Sequence, residues 1–319
     1  MKLKFRREHS RSKDLEEKTS ISPLYIHHSP QCLCNHGNLF LRTFENFLKE
    51  KTKHGECINS LKWKQFHSMP ANGDALYKVI NQIQLEGPNF NHSRQQIDLD
   101  VQRTFPDVDY FSHGIGRPVL RRVLLAFAKY NPNLGYVQGM NFIVAVLLWH
   151  TSEVQAFWFF VALIEQYKLV DNFSQDLPGL EKHCRVIEHL LKESMPSLYE
   201  HLSENGVSMH MIISDWCFVL FMNLIPIEQT GWILNKFFKY GWSFIYKLIL
   251  EILARLKAKI MDCRNIMEIL SAIKPYQSTQ EGRKKFIKAL ENGWERLDWH
   301  KLARRAQSRF IDENYVKHI

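Results

Sequence analysis

The chain has 319 residues, 45% of them hydrophobic, 13% aromatic and 24% charged, with a formal net charge of +9. That composition excludes disorder throughout, and the length suits either one large helical domain or two lobes of about 150 residues. The basic excess gathers in residues 2–11 and 283–309 with no RNA-binding or zinc-finger signature, so it reads as solvated surface and nucleic acid is not an expected partner.

Residues 1–38 are polar, charged and aperiodic, with Pro23 and Pro30. They read as a flexible, basic N-terminal arm. Cys32 and Cys34 cluster there beside His27, His28 and His36. A zinc site would want a second ligand pair downstream, which is missing, so no metal is expected. Cys57, Cys184, Cys217 and Cys263 lie far apart and read as reduced core residues. The first residues lack the apolar core of a secretory signal, and no run reaches the roughly 20 apolar residues of a membrane span. A cytoplasmic protein is the expectation.

From Leu39 the pattern changes: Leu39, Phe40, Phe44, Phe47 and Leu48 share one helical face. Asp74 suits the N-cap of a helix carrying Leu76, Tyr77, Ile80 and Ile83, which Gly87-Pro88-Asn89 stops. A short helix is predicted from Ile97 to Arg103, ended by Phe105-Pro106. Pro118 opens the next, with Leu120, Val123, Leu124, Phe127 and Ala128, up to the turn Asn131-Pro132-Asn133. Residues 135–140 form a tight connection into 141–150, a stretch apolar enough to predict an interior helix. Further helices are predicted over 153–168, 179–192, 196–203, 208–223, 226–239, 241–260 and 263–273. The aromatic and Met stripes within 154–164 and 216–224 read as core. No period-two strand pattern and no fixed repeat occurs. The fold class is all-α, a multi-helix domain over 39–275 with a basic helical extension over 276–319.

Nucleotide-binding glycine loops, nucleophile elbows and HExxH zinc sites are all missing. Two clusters remain. In Ile97-x-x-Asp100-x-x-Arg103 the charged pair is spaced i,i+3 on a helix, with Ile97 one turn earlier. Spacing alone leaves two readings: an ordinary surface ion pair, or a guanidinium held at a helix end and aimed outward. In Gly135-Tyr136-Val137-Gln138-Gly139-Met140-Asn141 two glycines bracket a polar residue before the interior helix, and glycine allows close backbone approach and unusual dihedrals. Gln138 is either an amide displayed on a rigid turn or an ordinary helix-entry residue.

Together, Ile97-x-x-Asp100-x-x-Arg103-Thr104-Phe105-Pro106 and Tyr136-x-Gln138-Gly139 resemble the two signature motifs of TBC-domain Rab GTPase-activating proteins. The linker Leu120…Val123-Leu124…Ala126-Phe127…Tyr130-Asn131-Pro132 and the later Phe157-Trp158, Trp216…Leu220-Phe221 and Ile225-Pro226 extend the likeness over roughly residues 55–275. The resemblance implies a helical Rab-GAP domain that supplies Arg103 and Gln138 to a GTP-bound Rab-type GTPase. Arg103 would neutralise phosphoryl charge and Gln138 orient the attacking water. Ile97, Asp100, Tyr136 and Gly139 would support them. It implies no cofactor for this chain, since GTP and Mg²⁺ belong to the partner, and peripheral contact with endomembranes. Two departures stand out. Gly55, Ile58 and Trp63 match the family's opening motifs, but Asn59 stands where that family has arginine, and Asn235 where it often has aspartate. The alternative reading is a non-catalytic GTPase-binding scaffold of the same fold.

Overall fold

Every helix predicted between residues 73 and 273 from 3.6-residue spacing is present in the three-dimensional structure, a computed structural model that describes residues 58–273. Among the described residues there is no strand. The helices are α1 (Ile58–Lys64), α2 (Gly73–Gln82), α3 (Pro88–Arg103), α4 (Asp109–Ser112), α5 (Gly116–Tyr130), α6 (Met140–His150) and α7 (Glu153–Glu165). They continue as α8 (Val170–Phe173), α9 (Pro178–Ser194), α10 (Pro196–Glu204), α11 (Met209–Phe218), α12 (Ile227–Tyr240), α13 (Trp242–Met261) and α14 (Ile266–Ile273). The arm, the helix predicted around residues 39–48, the Cys32–Cys34 cluster, Gly55, Cys57 and the basic extension lie outside the described residues.

The core is built around α6. All its residues except Phe142 are buried, as expected for a sequence apolar on every side. It packs against α5, α7 and α12, with α3 reaching it beyond α5. Each large apolar side chain enclosed here contributes roughly 1.5–3 kcal/mol. The aromatic stripes are core as predicted: Phe157, Phe160 and Trp216 are fully enclosed. A second group forms where α9 packs on α10, α11 and α13. No helix among the described residues is long and apolar enough to cross a membrane.

Several boundaries differ from the pattern-based reading, each for a local reason. Asn72, not Asp74, is the N-cap of α2; Asp74 lies in the first turn, where a carboxylate complements the helix dipole. Gly87-Pro88 does not merely stop a helix. Gly87, at φ 134°, caps α3 and Pro88 takes its first position, where a missing N–H costs nothing. The predicted seven-residue helix is therefore the end of one of 16 residues. α5 begins at Gly116, ahead of Pro118. The helix predicted to reach 223 ends at Phe218, because Asn172 Nδ2 donates to the Cys217 carbonyl and the chain turns through positive φ at Leu220 and Phe221. Cys184 and Cys217 are buried as expected, but Cys263 is half-buried between α13 and α14 rather than in the core.

Candidate functional site

α3 buries one stripe, Ser93, Ile97, Asp100 and Val101, and this places a carboxylate inside the protein. The Asp100 side chain is 2% exposed and the Arg103 side chain 55%. The pair is thus neither an ordinary surface ion pair nor a buried one: the acid is enclosed and the base stands out from the helix end. Arg103 Nε and Nη2 both donate to Asp100 Oδ1, at 2.8 and 2.7 Å. The cation also sits at the negative end of the α3 dipole, a favourable position. Ile97 is fully buried one turn earlier and fixes the face.

The other Asp100 oxygen, Oδ2, accepts from the Tyr136 hydroxyl at 2.5 Å. Burial, reinforced by the bond to Asp100 and its charge, pushes the Tyr136 phenol far above its ordinary range. It therefore stays a donor at any physiological pH. The Tyr136 N–H donates to Ser93 Oγ at 3.2 Å, so the segment before α6 is pinned to α3 at two points. Gly135 adopts φ +63°, and a Cβ there would lie 2.9 Å from Ser93 Oγ.

Gln138 and Gly139 are the inner residues of a turn closed by Met140 N–H on the Val137 carbonyl, at 3.2 Å. Gly139 has φ +107°, and a Cβ there would come within 2.9 Å of both Phe218 and Val219. Conformation and space both demand glycine. Gly139 is the N-cap of α6, and no side chain caps that helix. The Gln138 side chain is exposed and makes no hydrogen bond to another described residue. The helix-entry reading thus assigns its amide no bond.

Asn141 joins the two clusters. It is fully buried; its Nδ2 donates to Thr104 Oγ1 at 2.8 Å and its Oδ1 accepts from the Gly139 N–H at 3.0 Å. Thr104 Oγ1 in turn donates to the Asp100 carbonyl at 2.6 Å, satisfying one of the orphan acceptors at the end of α3. The residue after Arg103 and the residue after Gln138 are thereby tied through one amide. The motif run contains Asn141 and Thr104, but spacing assigned them no role. The available signal was a lone polar residue opening an otherwise apolar helix, since buried polar groups need partners.

The two departures, Asn59 and Asn235, meet each other. Asn235 Nδ2 donates to Asn59 Oδ1 at 2.7 Å, and Trp63 Nε1 donates to Asn235 Oδ1 at 2.6 Å. Asn59 Nδ2 also contacts His150 Nδ1 at 3.3 Å. His150 is the last residue of α6, whereas Gly139 and Met140 open it. The departures therefore lie at the far end of the central helix, about 15 Å along its axis from Met140.

With this geometry in hand, comparisons with known proteins agree on one family. Residues 56–261 match the family model described as the Rab-GTPase-TBC domain. A TBC domain-containing protein of Schizosaccharomyces pombe is 29% identical over 279 residues, which are 81% of this chain and 36% of that protein. Growth hormone-regulated TBC protein 1 of Xenopus tropicalis is 34% identical over 180 residues, 55% of this chain and 52% of that protein. The chain thus spans about a third to a half of the length of these relatives. The crystal structure of a Chlamydomonas flagellar RabGAP TBC domain superposes with TM-score 0.55 at 24% identity, covering 72% of this chain and 74% of that one. That likeness is one of fold.

Proposed function

The chain belongs to the Rab-GTPase-TBC domain family, and from that premise we propose that it accelerates GTP hydrolysis by a Rab-type GTPase through Arg103 and Gln138. The observation that carries this reading is the contrast between held backbone and displayed side chain. Arg103 projects from a helix end while its Nε and Nη2 are clamped on an enclosed carboxylate. Gln138 stands on a turn packed so closely at Gly139 that only glycine fits, with an amide engaged by nothing in the described protein. Both are suited to a ligand that comes from outside.

In the proposed reaction the partner holds GTP and Mg²⁺, and this chain supplies no nucleotide site. The Arg103 guanidinium enters the partner's site and neutralises charge developing on the phosphoryl oxygens. Such a group contributes on the order of 10³–10⁵ in rate, about 4–7 kcal/mol of barrier. The Gln138 amide orients the attacking water in place of the GTPase's own glutamine. Asp100 and Tyr136 position Arg103 without touching phosphate. The protein acts in the cytoplasm, on GTPases at endomembrane surfaces.

Single-turnover hydrolysis across a panel of Rab-type GTPases tests this. At least one member should be accelerated, and it should still respond after its own switch glutamine is changed to Ala. The same altered GTPase should be nearly unresponsive to Gln138→Ala, with binding retained in every combination. If the GTPase substitution alone abolishes stimulation, Gln138 is structural. Binding without acceleration by the wild-type chain would leave a scaffold.

A further inference from the structure

α3 offers a second feature to whatever meets Arg103. Helical residues four apart differ by about 40° in direction and one turn in height, so Leu99 shares the outward face of Arg103. Leu99 is 64% exposed, more than any other large apolar side chain among the described residues except Met267. A lone exposed leucine is ordinary on a protein surface. This one is set apart because the same end of α3 carries Arg103 and receives Arg117 at the Gln102 carbonyl.

Arg117, in the first turn of α5, places Nη2 3.3 Å from the carbonyl of Gln102, the residue before Arg103. Arg103, Arg121, Arg122, Arg185 and Arg255 each face a carboxylate, and Arg94 and Arg264 are exposed to solvent. Arg117 has no such partner within 4.0 Å among the described residues, and its buried Nε–H has no acceptor. The negative end of α3 compensates this half-buried guanidinium in part, but no full countercharge faces it. A carboxylate brought from outside to its exposed edge would add a charge-assisted hydrogen bond.

We infer that Leu99 and Arg117 form a docking contact flanking Arg103, on which the GTPase seats an apolar side chain and a carboxylate. This rests on the activation reading above, because the occupant is the molecule that Arg103 enters. The contact serves association rather than chemistry. Leucine cannot stabilise phosphoryl charge, and Arg117 is held on the α3 carbonyl end. Both interactions are made equally in ground and transition states, so they set affinity and not turnover. Desolvated central contacts carry most of the affinity in an interface, and charges at its rim steer and orient the partner.

The test uses the full chain with Leu99→Gln, Arg117→Gln and Arg117→Lys. Affinity is measured for the same GTPase panel loaded with a non-hydrolysable GTP analogue, beside single-turnover hydrolysis at rising protein concentration. Each Gln variant should weaken binding about five- to tenfold while the maximal stimulated rate stays within about twofold. Arg117→Gln should also flatten the salt dependence of binding, and Arg117→Lys should restore part of it. Thermal transitions of all three should match the wild type. Unchanged affinities overturn the inference, as does a fall in the saturated rate. Self-association of the wild type that Leu99→Gln abolishes, with GTPase binding unaltered, overturns it in favour of a contact between copies. Weakened binding by the variants with no stimulation by the wild type supports the docking contact and sinks the activation reading. A wild-type chain that binds no GTPase in the panel sinks both.

Discussion

Arg103 has two tasks that pull on different measurements. Within the fold it neutralises an enclosed carboxylate; in the proposed reaction it leaves part of its fork for the partner. Arg103→Lys keeps a cation near Asp100 but lacks the planar, two-pronged donor. It should fold like the wild type and lower the stimulated rate at least about a hundredfold. Arg103→Ala should do the same to the rate and also destabilise by about 1–2 kcal/mol, because Asp100 is left with the Tyr136 hydroxyl alone as side-chain donor. Single-turnover rates and urea melts on the same preparations separate the two effects. Near-wild-type activity for the Lys variant would rule out the role assigned to Arg103. At this scale the exposed residues were legible and their supports only partly so. Asp100 and Tyr136 stand in recognisable motifs, whereas Ser93, Thr104 and Asn141 each bond a backbone group, whose position no spacing reveals.

Among the helices, legibility followed apolar content. α5, α6 and α13 carry enough apolar residues to announce themselves. Most of α3 does not, since Asn89, Asn91, His92, Arg94, Gln95 and Gln96 hide the periodic burial of Ser93 and Ile97. The end of α11 is set by a side chain from α8, a contact between segments 45 residues apart, and no local rule could find it. The junction of α1 with α12 makes a prediction at the same scale. Asn59 and Asn235 stand where the resemblance places residues of opposite charge, here as two amides bonded to each other, and Gly231 leaves the room, since a Cβ there would collide with Asn59 Nδ2. Asn59→Arg alone buries a cation against neutral partners and should lower the melting temperature, by about 2–4 °C for each kcal/mol lost. Asn59→Arg with Asn235→Asp should recover much of that, with a coupling energy of about 1–3 kcal/mol. A double variant whose loss equals the sum of the singles would show the two positions to be independent. The stimulated rate should change little in any of them, given their distance from Gln138.

For the molecule as a whole, the polar tie in its second half makes stability depend on acidity. His183 is fully buried, stacked on Trp242 at 3.7 Å, with Nδ1 2.8 Å from the Tyr246 hydroxyl and Nε2 3.0 Å from Asn172 Oδ1. Burial, with a smaller push from Lys182, lowers its pKa from 6.5 to about 3. The folded ring is neutral where the unfolded one takes up a proton. Its contribution is therefore complete above about pH 6.5 and drains away as pH falls from there towards 3, by up to about 1.4 kcal/mol per unit. Urea melts at several pH values between 7.5 and 4.5 should show a steeper loss for the wild type than for His183→Gln. Parallel slopes would mean that the ring titrates alike in both states. A last consequence belongs to Asn141. Its amide accepts the Gly139 N–H at the head of a helix in which every residue but Phe142 is buried, so the turn that displays Gln138 is tied into the core. The Gly139 amide hydrogen should therefore exchange as slowly as the core amides of α6, and faster exchange would show that the turn opens locally. The candidate site should then share the lifetime of the whole fold, with heat abolishing its geometry and the domain's cooperative structure in a single event.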